Sequence, residues 1–392
     1  LLIFRCVFHV CNWFPYRNKV TFLVTFGQNS MYVYKEMLRR EPKSDIVFLY
    51  KKSCPYDFEE SGNMTAVPFE TFNILRFFQS IYHLATSRHI IVDNYFGCLS
   101  VCSFRDDVEC IQLWHAAGAV KYFGLKDQSV PNRCDRAKKR FLKVYRKFNK
   151  VVVGSEEMAR VFTEAFDLSP ENILRTGIPR TDLFYDEPLK RKVIHRLKRE
   201  NPLLKNKKVL LYAPTFRDHQ LDAFELKLDL DLMERELAEE YVLLLRLHPA
   251  VKSQKNFEEQ YKGFVYDYSS LVDVNELLLI TDCLITDYSS IPYEFSLLNR
   301  PMIFFAYDLE QYQEQRGLWD QYESLVPGPI VKTTEGVVEQ IQQNDFDYKE
   351  IQAFSRKWNR YSVGQSSRNI VNYVFDNESE KASVSGNKTR TL

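Results

Sequence analysis

Short apolar runs recur along the chain, each ending in polar residues and separated from the next by a helix-length polar stretch. In the first half they are "VTFLVTF" (20–26), "DIVFLY" (45–50), "HIIVDN" (89–94), "CIQLWH" (110–115) and "KVVVGS" (150–155). After a charged stretch the rhythm resumes with "KKVLLYAPT" (207–215), "YVLLLRLHP" (241–249), "CLITDYSS" (283–290) and "PMIFFAYD" (301–308). Continuous rather than alternating apolar runs belong to strands buried on both faces, so the pattern predicts parallel sheets covered by helices. The expected fold is α/β with two doubly wound halves. The break is expected near 185–206, where the sequence is densely charged and contains Asn201-Pro202. This gives domains over 19–190 and 191–376, and the almost apolar-free segment 377–392 is expected to be disordered.

The first residues, "LLIFRCVFHVCNWF", follow a different pattern. They are apolar apart from Arg5, His9 and Asn12, which fall at i, i+4 and i+7. A helix over 1–18 would therefore carry a narrow polar stripe and a broad apolar face. Such a helix either packs on the body of the protein or lies in a membrane interface through residues 1–14. The segment lacks the basic start and small-residue cleavage site of a signal peptide. The chain opens on Leu1 rather than Met, as it would if part of the natural N-terminus were missing.

Composition narrows the function classes. A chain of 392 residues exceeds one ordinary core, and its net charge of +1 gives no overall attraction to nucleic acid. The longest apolar runs fall short of the roughly 18 to 20 residues a spanning helix needs, so no membrane crossing is expected. The eight cysteines form no CxxC pair and are expected to be reduced thiols in the cytosol. Charge is concentrated locally: residues 133–150 carry nine Lys or Arg against one acidic residue. Phe141, Tyr145 and Phe148 repeat there at helical spacing, which predicts a basic amphipathic helix suited to an anionic membrane surface, with about 1 kcal/mol per charge. No base-stacking or groove-reading module supports nucleic acid as the partner.

Chemistry gathers at strand ends. Ser289 and Ser290 follow a buried strand and precede Pro292, which suits a first helical turn. Backbone N–H groups and two hydroxyls there would cradle a phosphate, or one serine would simply cap the helix. Asp287 would repel a phosphate, so its expected role is to orient the loop or a nearby His or Arg. Arg246 and His248, two apart at a strand end, point to the same face and could meet one anion. Arg217 could add a third charge, or could pair at the surface with Asp218. In the first half His115 follows Trp114 at a strand end, and Gly118 allows close backbone approach. A neutral imidazole there suits a general base, although a lone histidine also serves structure. Asp229-Leu230-Asp231 resembles a metal-binding DxD, but it lies in an irregular acidic segment, and no metal site is expected.

The ordered set "QLWHAAGAVKYFGL", "VGSEEMARVF", "RTGIPRTD", "LLYAPTFRD", "LLRLHPA", "LITDYSSIPYEFSLLNRP" and "WNRYSVGQSSRNI" resembles the CDP-glycerol glycerophosphotransferase family of wall teichoic acid synthesis, over roughly 85–375. Within it the likeness is to members that perform the priming step. The resemblance implies a GT-B architecture, two Rossmann-like domains facing across a cleft, attached peripherally to the cytoplasmic face of a Gram-positive membrane. It implies transfer of glycerol phosphate from CDP-glycerol to the N-acetylmannosamine of an undecaprenyl-diphosphate-linked disaccharide, with release of CMP. No tightly bound cofactor is implied, and other teichoic acid enzymes are candidate partners. By position, His115 matches the family's general base and His248 its second essential histidine. Donor contacts map onto Trp114, Ala116, Ala117, Gly118, Arg180, Thr215, Phe216, Arg217, Arg246, Ser289, Ser290 and Glu294. Many members read Trp-His-Gly where this chain reads Trp-His-Ala. Alternatives are a poly(glycerol phosphate) or ribitol phosphate transferase of the same family, a UDP-sugar-dependent GT-B glycosyltransferase, or a non-catalytic scaffold.

Overall fold

Every apolar run picked out above lies on a strand, and all pairings between strands are parallel. The computed structural model describes residues 1–40, 44–58, 62–217, 225–247, 256–270 and 273–375. The first sheet contains β1 (Arg17–Val24), β2 (Asp45–Tyr50), β3 (Met64–Pro68), β4 (Ser87–Val92), β5 (Glu109–Gln112), β6 (Lys150–Val152) and β7 (Ile173–Leu174), in the order β3-β2-β1-β4-β5-β6-β7. The second contains β8 (Lys208–Ala213), β9 (Tyr241–Leu245), β10 (Val265–Asp267), β11 (Cys283–Thr286), β12 (Met302–Phe305) and β13 (Ile330–Val331), in the order β10-β9-β8-β11-β12-β13. Each sheet thus places its first strand beside its second and fourth, so the two halves repeat one topology that leaves no visible repeat in the sequence.

The central strands are buried on both faces, as their unbroken apolar runs require. Phe22 on β1 and Phe48 on β2 are paired in register and stack at 4.7 Å, both wholly buried. In the second half Leu210, Leu243, Ile285 and Ile303 form the centre of a core closed by Met233, Phe264 and Val337. Each fully buried Leu or Phe of this kind contributes about 2 kcal/mol of transfer free energy.

The chain divides into two units, but not where the sequence suggests. The first unit is Leu1–His115, Gly124–Asp182 and everything from Tyr361 onward, and the second is Ala116–Phe123 and Leu183–Arg360. The expected division at 190/191 is corrected in three places. Residues 116–123 belong with the second unit, where Lys121 bridges to Leu318 and Tyr122 packs on Trp319 at 5.0 Å. The charged stretch is no linker: Glu187–Glu200 is helical, started by Asp186, whose side chain accepts the Leu189 N–H, and anchored by buried Val193 and Leu197. The chain then returns to the first unit after Arg360. Tyr361 N donates to Gly154 O, Ile178 N donates to the Ser362 hydroxyl, and the Asp182 carboxylate takes the Ser366 and Ser367 N–H groups at the start of a helix over 366–375. The expectation for 377–392 lies outside the described residues.

The first unit carries five helices of eight or more residues ahead of its last strand: α1 (Leu2–Cys11), α2 (Gln28–Arg39), α3 (Ile74–Ala85), α4 (Asp135–Tyr145) and α5 (Glu156–Phe166). One face of α1 packs on the body of the protein and another is left exposed. Phe4, Phe8 and Cys11 are buried, with Phe4 edge-on to Phe77 of α3 and Phe8 edge-on to Phe104. Leu2 and Ile3 are exposed, and Trp13 just beyond the helix is 78% exposed. Of the polar stripe, Arg5 and His9 are exposed, and Asn12, just past the helix, meets the body: its Nδ2 donates to Ser103 O at 2.8 Å, and Arg105 donates to Asn12 O and Phe14 O. The basic helix over 133–150 is shorter than expected. It ends at Tyr145, Val144 and Phe148 are buried, and Lys150 already starts β6. Among the described residues no helix is long and apolar enough to cross a membrane.

Candidate active site

In the first unit the predicted residues gather where β1, β4 and β5 end. Trp114 adopts a left-handed backbone with φ 57°, a conformation that costs a bulky residue about 1 to 3 kcal/mol. Two side chains fix it there: Gln112 Oε1 accepts from Trp114 N at 2.8 Å, and Asn29 Nδ2 donates to Trp114 O at 2.9 Å. The indole is packed edge-on against Phe162 and Phe166 of α5. This turn directs His115 into a sandwich, its ring 4.3 Å from that of Trp114 and 4.3 Å from that of Phe26.

His115 Nδ1 lies 3.3 Å from the backbone oxygen of Asp93. A carbonyl can only accept, so the contact selects the tautomer with the proton on Nδ1 and the lone pair on Nε2. That is the arrangement a general base needs. The Asp93 side chain does separate work. Its carboxylate takes the N–H groups of Thr25, Phe26 and Gly27 at 2.8–2.9 Å, closing the turn between β1 and α2. Burial pushes this carboxyl up to about 6, against the pull of those three donors.

Arg180 joins the same cluster through Asn29. Its backbone N donates to Asn29 Oδ1 at 3.1 Å and its Nη1 to Gln28 Oε1 at 2.7 Å. One amide side chain, on the first turn of α2, therefore ties the Trp114 turn to the Arg180 turn. Sequence reasoning missed Asn29, Gln28, Phe26 and Asp93. The signal was the polar "GQNS" after the first apolar run, a strand ending like those that were noticed.

In the second unit Thr215, Arg217 and Asp287 form one assembly. Asp287 lies past the end of β11, and its Oδ1 accepts from Thr215 N at 2.7 Å while Oδ2 accepts from Arg217 Nη2 at 3.0 Å. Arg217 also binds Asp308 through Nε and Nη2, both at 2.9 Å, and donates to Thr215 O through Nη1. The rings of Tyr312, Tyr288 and Tyr307 surround the guanidinium at 4.9, 5.0 and 5.6 Å. Burial works against this charge, but the Asp308 hydrogen bonds and the field of Asp287 outweigh it, so Arg217 holds its proton more tightly than an ordinary arginine.

The expectation of a third cation facing the anion is corrected for Arg217. Its side chain is 5% exposed and two carboxylates neutralise it, so its work is to fix the Thr215 and Asp287 turns. Asp218, the alternative surface partner, lies outside the described residues. Asp308, Tyr288 and Tyr312 were not singled out from sequence, although Asp308 ends one of the apolar runs. Phe216, between the two turn residues, is half-buried.

Beyond Asp287, Ser289 and Ser290 are half-buried, and a short helix begins at Ile291 with Pro292 in its first turn. Ser289 Oγ accepts from Ile291 N at 3.2 Å, whereas Ser290 makes no side-chain cap. Glu294 on this helix is buried, and its neighbour Tyr293 is wholly so. The ring of Tyr293 lies against Gly118: a Cβ added there would sit 2.3 Å from it. The close approach expected of Gly118 is therefore made to Tyr293. Ala116 and Ala117, just before Gly118 in the chain, are buried. Arg246 Nη1 donates to Tyr268 O at 3.0 Å and to Ser269 O, and burial lowers its proton affinity. His248 lies outside the described residues. The DxD pair has structural partners, Asp229 accepting from Leu232 N and Asp231 from the Tyr261 hydroxyl.

Comparison with known proteins bears on both units. The chain is 38% identical over 363 residues, 92% of its own length and 93% of the relative's, to the teichoic acid glycerol-phosphate primase of Bacillus subtilis strain 168. It is 36% identical over 388 residues to the teichoic acid poly(ribitol-phosphate) polymerase of Bacillus spizizenii, covering 96% of this chain and 60% of that one. A structure of the wall teichoic acid polymerase TagF, solved after a CDPG soak, superposes with a TM-score of 0.81 at 25% identity, covering 97% of this chain and 94% of that one. The two parallel-sheet units are thus of the GT-B type. Residues 7–376 match the family described as CDP-glycerol:poly(glycerophosphate) glycerophosphotransferase, and the chain belongs to that family.

Proposed function

We propose that this glycerophosphotransferase performs a priming step: it moves sn-glycerol 3-phosphate from CDP-glycerol to the N-acetylmannosamine of an undecaprenyl-diphosphate-linked disaccharide and releases CMP. The observation that carries the chemistry is the His115 contact to the Asp93 carbonyl, which leaves Nε2 as the accepting nitrogen. His115 takes the proton of the acceptor hydroxyl as its oxygen forms a bond to the glycerol-bearing phosphorus. The bond from that phosphorus to the CMP oxygen breaks, and CMP departs with the electron pair. Phosphoryl transfer of this kind depends mainly on positioning and charge neutralisation. Arg246, the backbone around Ser289 and Ser290, and by position His248 are assigned to the donor diphosphate. Thr215, Arg217 and Asp287 hold that region in shape, and Arg180 serves the Trp114 turn through Asn29. Support for priming rather than polymerisation comes from the 38% identity to the glycerol-phosphate primase.

The same reading includes peripheral attachment to the cytoplasmic face of the membrane. Its support is the exposed apolar surface of α1 together with Phe72, Ile74 and Leu75 at the start of α3, exposed by 69% or more, alongside the basic α4. The test combines CDP-glycerol, CDP-ribitol or a panel of UDP-sugars with a synthetic lipid-linked disaccharide, and weighs the product by mass spectrometry. One glycerol phosphate added from CDP-glycerol, with CMP released, is expected. Turnover of a UDP-sugar, or addition of many units, would replace the reading. His115→Ala is expected to slow CMP release by about 10²- to 10⁴-fold with the fold intact, and near-wild-type release would remove the base role.

A further inference from the structure

Four cations converge on one pocket of the first unit, away from the residues assigned to catalysis. The pocket, of about 320 Å³, is lined by Arg5 of α1, Lys143 of α4, and Arg146 and Lys147 just after α4, with Ser100 and Ser103 between them. Among the described residues none of the four forms an ion pair, and no acidic side chain lines the pocket. Elsewhere on this unit surface cations are commonly paired, as Lys51 is with Glu70 and Arg175 with Glu156. Uncompensated cations this close together repel one another, a cost that an anion bound among them removes.

The surroundings identify the source of the anion. Helix α1 packs on α3 and on the turn Gly97–Val101, and that turn packs on α4, so the pocket adjoins the helix that carries the exposed Leu2 and Ile3. Arg5 itself lies between Phe4, buried against α3, and an outward side bearing Leu2 and Ile3, both exposed by more than two thirds. A soluble anion would gain nothing from these apolar neighbours. A lipid uses both features, its chains beside α1 and α3 and its phosphate among the cations.

We propose that this pocket is a binding site for the phosphate of an anionic phospholipid headgroup, a specific anchor within the diffuse membrane attachment on whose reading it rests. Occupied, it sets how the first unit sits on the bilayer: α1 lies along the interface and α4 faces the headgroups.

The test compares two double variants of the full chain that each remove two positive charges from the same region. Lys143→Gln/Arg146→Gln empties the pocket of two cations, while Arg136→Gln/Lys139→Gln removes two exposed cations of α4 that do not line it. Co-sedimentation is measured with vesicles of phosphatidylcholine alone and of phosphatidylcholine with phosphatidylglycerol. Diffuse attraction is lost equally by both variants, so the pocket variant is expected to lose about tenfold more affinity for the phosphatidylglycerol vesicles than the control. Binding to pure phosphatidylcholine, carried by the apolar surface, should be equal in both. Equal losses on phosphatidylglycerol would overturn the pocket while leaving membrane attachment standing. Absence of wild-type binding to either vesicle would overturn the membrane reading and the pocket with it. Inorganic phosphate titrated onto lipid-free protein is the last arm: if phosphate binds in a Lys143- and Arg146-dependent way while vesicle binding ignores both residues, the site takes a free anion and the lipid assignment fails.

Discussion

Arg217 and Asp287 form an ion pair at 3.0 Å in which neither side chain is more than 5% exposed. Such a pair is weak evidence of net stabilisation, but removing one partner leaves a buried charge uncompensated. Arg217→Gln is therefore expected to destabilise the second unit by about 3 to 5 kcal/mol. Arg217→Lys should recover only part of this, because an ammonium cannot reproduce the two-pronged contact to Asp308 while still reaching Asp287. Urea unfolding of the three proteins measures the order, and a Lys variant as stable as wild type would contradict the geometry.

Asn29 acts on the reaction through its neighbours. Asn29→Asp keeps size and an acceptor for Arg180 N but cannot donate to Trp114 O, so the left-handed turn loses one of its two supports. We expect kcat to fall by about 10- to 100-fold, the equivalent of about 1.4 to 2.7 kcal/mol and in the range of a lost buried hydrogen bond, with KM for CDP-glycerol changed little. A fall confined to KM would place Asn29 in donor binding instead.

Gly118→Ala meets the Tyr293 ring, which cannot withdraw: it is stacked on Phe354 at 5.3 Å and edge-on to Trp358 at 4.6 Å. Overpacking of this kind costs about 1 to 3 kcal/mol. Tyr293→Leu in the same chain should make the alanine tolerable, so the double variant is expected to be more stable than the sum of the singles. Additive losses would show that Gly118 is needed for something other than this ring.

Two buried groups give stability opposite dependences on pH. Burial raises Asp93 from 3.8 to about 6, so between those values the folded chain holds a proton the unfolded chain has released, and stability falls as pH rises. Burial, with the charge of Lys19 3.2 Å away, lowers His83 from 6.5 to about 4, so there the unfolded chain holds the extra proton and stability rises with pH. Each effect amounts to about 3 kcal/mol across its window, and in wild type they oppose. Relative to wild type, Asp93→Asn should therefore make the unfolding midpoint climb more steeply from pH 4 to 6, and His83→Asn should turn the slope downward. Parallel profiles for all three would refute both assignments.

What the sequence made legible follows from how each feature is encoded. The strands found were those in which apolar residues cluster ahead of a polar ending, as in Ile46–Tyr50 and Val242–Leu245. The ones missed were β3, where Thr65 and Pro68 break the run, and β7, β10 and β13, which are two or three residues long and too short to show a period. His115, Asp287 and the serines were visible because each ends such a run. Asn29 and Asp93 were not, because their work is done across 85 and 66 residues of chain through bonds that no local pattern records. The passage of 116–123 into the second unit was equally hidden, since "AAGAVKYF" differs in composition from nothing around it. The orienting role assigned to Asp287 needed only the chemistry of like charges, yet the second carboxylate that Arg217 binds, Asp308, came from a run read merely as apolar.

The end of the chain at Asp182 has a bearing on how the protein is made. The two N–H groups that satisfy this carboxylate belong to Ser366 and Ser367, and the helix they start closes on the first unit. During synthesis that unit emerges early and must wait, with an acidic residue and part of its flank bare, until the chain 184 residues further on has left the ribosome. A nonsense codon near Arg360 would accordingly harm the half of the molecule translated first.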